Sequence, residues 1–164
     1  MLVGLLLVVG ACKPSAPGPL PTLDLPADRY EQLVSAYFGG VAALQVGDTT
    51  SRGKDLLTQA SELAPEEPAI LADLALYHLR NQGADTAADL VAKARKLAPQ
   101  ESRLALLDAL VADRRGKPED AVKVLREAVA LDGANLRARY ALKEAIERAG
   151  AADADAAVAS ELDA

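Results

Sequence analysis

Apolar residues recur at three- and four-residue steps through most of the chain, interrupted at regular distances by Gly, Pro, Asn and Asp. That spacing gathers apolar side chains on one face of a helix, where a strand would alternate them. The first stripe is Tyr30, Leu33, Tyr37, Val41 and Leu44, and it predicts a helix capped by Asp28 and running to about Val46. Gly39-Gly40 interrupts that stripe at ~1 kcal/mol per residue against Ala. Either a neighbouring helix approaches closely there or the helix breaks. Gly47 to Thr50 reads as a turn and cap, and a second helix then runs to Leu63 before Pro65. Pro68 opens a third in the first turn, where a missing N–H costs nothing, and Asn81-Gln82-Gly83 closes it. Asp85 is expected to cap a fourth, which ends before Pro99. A fifth runs from near Glu101 to Arg114-Arg115-Gly116, its cations meeting the negative end of its own dipole. The sixth spans Lys117-Pro118 to Asp132-Gly133, and the seventh Asn135 to Ala149 before Gly150. An eighth, Ala152 to Leu162, is poorly specified: Ala and Asp alternate, with one stripe of Ala156, Val158 and Leu162.

These helices repeat. Ala60, Ala94 and Ala128 stand 34 residues apart, as do Leu63, Leu97 and Leu131. A fixed period of that length marks stacked helix pairs, each unable to bury its apolar face alone. Leu97 and Leu131, recurring at the same phase, are therefore expected to be fully buried. The middle unit sets Leu71, Leu74, Ala75 and His78 on its first helix and Ala87, Val91 and Pro99 on its second. The next keeps Ala109, Ala121 and Leu125, with Asp108 at an ordinarily apolar place and Gly133 at the place of the proline. The first has Gly40 and Gly53 at two diagnostic positions.

In period and in residue kind, Val34 to Gly150 resembles the tetratricopeptide repeat. The resemblance implies an all-α, right-handed α-solenoid of antiparallel helix pairs, about 3.5 repeats long. The units fall at 34–67, 68–101 and 102–135, with a partial one at 136–164. It also implies that the first helix of each pair lines a concave groove. That face would carry Phe38, Ala42, Ala72, Leu76, Leu79, Arg103, Leu106, Leu110, Arg137, Tyr140 and Glu144. Family members that hold a terminal carboxylate use Lys, Arg and Asn here. This groove lacks the Asn pair and is apolar at its centre, which suits an amphipathic helix or an extended apolar segment of a protein or peptide partner. The same leucines could instead be internal packing, because helical phase does not fix a face to within one residue.

The amino terminus changes the picture. Met1 to Gly10 is apolar throughout, too short to span a bilayer as a helix and suited to a secretory signal. Val9-Gly10-Ala11-Cys12 resembles a bacterial lipobox, which implies a signal peptide at 1–11 and a lipid on Cys12. A plain signal peptide, or a buried strand with an incidental cysteine, is the other reading. No Lys or Arg precedes the apolar run; either the start lies upstream or the free amine supplies the charge. Cys12 is the one cysteine, so no disulfide forms within the chain. Residues 12–27 carry five of the nine prolines and read as an extended spacer before a helical domain at 28–164. Lys13 is not acidic, which by the same resemblance favours the outer membrane, facing the periplasm.

Composition narrows function. The chain is 51% apolar yet only 3% aromatic, which fits closely packed Ala/Leu helices. A net charge of −6 argues against a nucleic-acid partner. One histidine cannot build a His-Glu-x-x-His zinc helix or any multi-His site, and His78 is expected to be a packing residue. The glycines sit at helix ends or within the first helix and form no phosphate loop, so no cofactor is expected. Carboxylate pairs such as Glu66-Glu67 lie on turns without the burial that tunes an acid or base. The expectation is a non-enzymatic, membrane-tethered binding module of a bacterial envelope. The alternative is the amino-terminal accessory region of a longer exported protein whose activity lies beyond residue 164.

Overall fold

The computed structural model describes residues 25–47 and 51–148. They form seven α-helices: α1 (Ala27–Gln45), α2 (Ser51–Leu63), α3 (Pro68–Arg80), α4 (Ala84–Leu97), α5 (Ser102–Arg114), α6 (Pro118–Leu131) and α7 (Leu136–Arg148). Consecutive helices pack as hairpins, α1 with α2, α3 with α4 and α5 with α6, and the hairpins stack so that α3 touches both α1 and α5. The signal region, Cys12, most of the proline-rich spacer and the eighth helix lie outside the described residues.

The core forms where the second helices turn small and branched residues inward. Leu57, Val91 and Leu125 make one buried column, and Ala60, Ala94 and Ala128 another. Leu71, Leu74 and Ala75 of α3 are buried against them as expected. The third column is a correction. Leu97 is 41% exposed and Leu63 and Leu131 are half-buried, because each ends its helix, where the chain turns out of the core.

Helix ends differ from expectation in an instructive way. Asp28 and Asp85 do not cap; they lie in the first turns of α1 and α4, behind Pro26 and Gly83, where their charges face the positive end of the dipole. Glu67 caps α3 by accepting from Ala69 N, and Asn135 caps α7 by accepting from Ala138 N. Asn135 Nδ2 also donates to buried Ser102, whose hydroxyl donates to Ala128 O, tying α5, α6 and the start of α7. Arg80 and Arg114, which close α3 and α5, reach beyond their own helices, whereas Arg148 Nε donates to Glu144 O within α7. Arg80 Nη1 donates to Leu44 O at 2.6 Å and Arg114 Nη1 to Leu79 O at 3.4 Å, so each neutralises the carboxyl end of the helix before it. Arg148 continues the row with an ion pair to Asp113, and Arg115 pairs with Asp85.

α1 is continuous through Gly39-Gly40. A Cβ at Gly40 would meet Leu57 Cγ at 2.6 Å, and one at Gly53 would meet Ala43 Cβ at 2.9 Å. The two glycines let α1 and α2 approach more closely than side chains allow.

The phase of α1 is also shifted by one residue. The left-handed turn residues Gly47 and Gln82 stand 35 apart, whereas Gln82 and Gly116 stand 34 apart. The helix-end carbonyls met by Arg80 and Arg114, those of Leu44 and Leu79, also stand 35 apart although the arginines themselves stand 34 apart. The connection after α1 thus holds one extra residue, and every position of α1 moves by one against the strict period. Gly40, Ala75 and Ala109 become equivalent, all buried at the crossing of a pair.

Candidate functional site

The first helices α1, α3, α5 and α7 present one surface. With the corrected register, Val41, Leu76, Leu110 and Glu144 form one row across it; Tyr37, Ala72, Leu106 and Tyr140 form a second; Val34, Ala69, Arg103 and Arg137 form a third. Leu110 is 43% and Tyr140 65% exposed, and Leu76 and Leu106 are half-buried, each packed in part against the core. The strip is thus apolar along its middle and open to solvent.

Sequence-derived positions divide accordingly. Leu76, Leu106, Leu110, Tyr140, Arg103, Arg137 and Glu144 fall together on this face. Leu79 does not: at 4% exposure it packs with Leu71, Ala75, Val91 and Val111 in the core, and its carbonyl receives Arg114. Ala72 is buried and forms floor, not rim. Phe38 is 59% exposed at the α1 end, its ring 5.6 Å from that of Tyr37, but the shifted register makes Tyr37 and Val41 the equivalents of Ala72 and Leu76.

A polar chain crosses the same face. Tyr37 Oη donates to Asp73 Oδ2 at 2.8 Å, and Arg103 Nη2 donates to Asp73 Oδ1 at 3.0 Å. Asp73, almost buried, so bridges α1, α3 and α5, and no buried side-chain polar atom among the described residues lacks a partner. Burial, then the neighbouring Asp73 carboxylate, raises the Tyr37 phenol well above its ordinary range. Tyr140 is likewise raised, by Glu144, which accepts its hydroxyl. Asp108, odd in the sequence pattern, accepts from Arg95 at 2.5 Å, and Arg95 also bonds Glu127, so an ion triad joins α4, α5 and α6 on the opposite side. Burial, then the charge of Lys54, lowers the pKa of half-buried His78.

Among the described residues no three His, Cys, Asp or Glu side chains converge as metal ligands, and no helix is long and apolar enough to cross a membrane.

No protein-family model matches the chain, and no curated sequence does either. Solved structures do. MamA from MSR-1 superimposes with a TM-score of 0.65 at 22% identity, over 85% of this chain and 80% of that one. The second TPR domain of human RPAP3, in complex with the HSP70 peptide SGPTIEEVD, gives 0.64 at 18% identity, over 71% and 97%. The fold is a tetratricopeptide solenoid. Seven helices make about three and a half right-handed repeats, with α7 opening the fourth. An O-GlcNAc transferase mutant from Thermobaculum terrenum matches at 0.68 and 21% identity, over 74% of this chain; the chain spans only 23% of that enzyme.

Proposed function

We propose that this solenoid is a non-enzymatic interaction scaffold, held at a bacterial envelope by a lipid on Cys12, that grips a protein segment in its concave groove. One observation carries the reading: Leu76, Leu106, Leu110 and Tyr140 lie on successive first helices, with Leu110 and Tyr140 exposed and Leu76 and Leu106 half-buried. A contiguous apolar strip on a surface marks an interaction site, and a groove of this form takes an amphipathic helix or an extended apolar segment. Peptide complexes of similar solenoids, the human RPAP3 domain with its HSP70 peptide among them, support a peptide-like occupant. The proline-rich spacer after Cys12 would hold the groove clear of the membrane, on the periplasmic side and by Lys13 at the outer membrane. The match to a stretch of a longer transferase supports a second reading, an accessory region of a larger polypeptide.

The test uses groove residues that bear little on the core. Leu110→Glu with Tyr140→Glu should abolish capture of the native partner from envelope extracts, with helicity and melting temperature retained. Lys123→Glu, exposed on α6, should leave capture intact. Retained fold with retained capture by the groove variant refutes the groove. Cys12→Ser should release the protein from membranes and shift its mass; unchanged fractionation and mass refute the anchor.

A further inference from the structure

The charges bordering the apolar strip are not evenly placed. At its α3–α5 end a notch of about 200 Å³ opens between Ala69, Ala72, Ala98 and Leu104, with Glu67 and Glu101 on its rim. Arg103 also borders the notch, but its guanidinium is paired with Asp73, so that couple cancels and the two glutamates leave the site negative. On α7 the order reverses. Arg137 occupies the place that Arg103 has on α5, yet the residue equivalent to Asp73 is Leu107, which offers no carboxylate. Arg137 is exposed.

We infer that the groove recognises an amphipathic helix of fixed polarity, with a basic residue seated in the alanine-floored notch and an acidic residue on Arg137. This rests on the groove reading above and adds the chemistry and direction of the occupant. The notch suits a lysine or arginine, whose apolar stem lies on alanines while its cation meets Glu67 and Glu101. Arg137 suits a side-chain carboxylate, which a guanidinium takes in bidentate fashion. Packed helices lie 8–10 Å apart, so a point between α3 and α5 lies roughly 15 Å from α7. At 1.5 Å per residue that is about ten residues, and a separation of about eleven returns both side chains to one face of the occupant. Acids belong near the amino end of a helix and bases near the carboxyl end, so the occupant runs with its first turn over α7.

The experiment uses two synthetic helical peptides with the same leucine face, acetylated and amidated so that no chain terminus can serve. One carries Glu in its first turn and Lys about eleven residues later; in the other the two are exchanged. Fluorescence anisotropy against the folded protein should show the first binding about tenfold more tightly, two partly exposed ion pairs turning into two repulsions. Arg137→Glu together with Glu101→Lys, which leaves the Glu67 cap of α3 in place, should invert that preference while circular dichroism stays unchanged. Equal binding of the two peptides, or an uninverted preference, overturns the inference and leaves the groove standing. If neither peptide binds, the groove reading falls and the inference with it.

Discussion

Adjacent glycines in α1 should respond in opposite senses to the same substitution. Alanine in a helix interior is favoured over glycine by about 1 kcal/mol, and both positions are helical. At Gly39 the added Cβ would lie 3.1 Å from Leu56 Cδ1, the free end of a half-buried side chain that can turn aside. Most of the propensity gain should survive, and Gly39→Ala should stabilise by about 0.5–1 kcal/mol. At Gly40 the Cβ would sit 2.6 Å from Leu57 Cγ and 2.8 Å from Cδ2, with the Leu57 backbone N at 3.2 Å. Leu57 is fully buried, so relief requires α1 and α2 to separate. Overpacking of that kind costs about 1–3 kcal/mol, which exceeds the propensity gain and leaves a net loss of about 1 kcal/mol. The variants should therefore differ by about 2 kcal/mol, or roughly 6–10 °C in melting temperature for a domain of this size. Urea unfolding followed by circular dichroism gives the free energies directly. If Gly40→Ala is as stabilising as Gly39→Ala, the helices do not touch at Gly40 and the shifted register of α1 is wrong.

Leu57→Ala should cost about 2–5 kcal/mol in chemical denaturation, whereas Leu97→Ala should cost under about 1.5, since its side chain already meets water; equal losses would show that the two columns are equivalent. Tyr37 should ionise later than a free phenol, so its share of stability is complete below the ordinary phenol range and is lost as pH rises through that range toward the raised folded value. Tyr37→Phe should flatten that part of the alkaline stability curve, and an unchanged slope in urea titrations above neutral pH would place the hydroxyl outside the Asp73 network.

What the sequence determined was local. Helix propensity, proline and glycine punctuation and a three-to-four-residue apolar period fixed seven helices to within a residue or two, and the alanines at 60, 94 and 128 fixed the stacking. Such signals lie within one helix or recur at a constant interval, so they need no knowledge of neighbours. Only the tertiary structure decided which side of each first helix faces the groove. One residue turns a helix by about 100°, and a single extra residue near Gly47 was enough to hand the roles of Phe38 and Ala42 to Tyr37 and Val41. For the same reason Leu79, three residues from half-buried Leu76, ended in the core. The Tyr37–Asp73–Arg103 chain joins residues 36 and 30 apart, and nothing in either stretch of sequence names the other. Burial, pairing and face are properties of what lies across the interface, and they exist only once the helices have stacked.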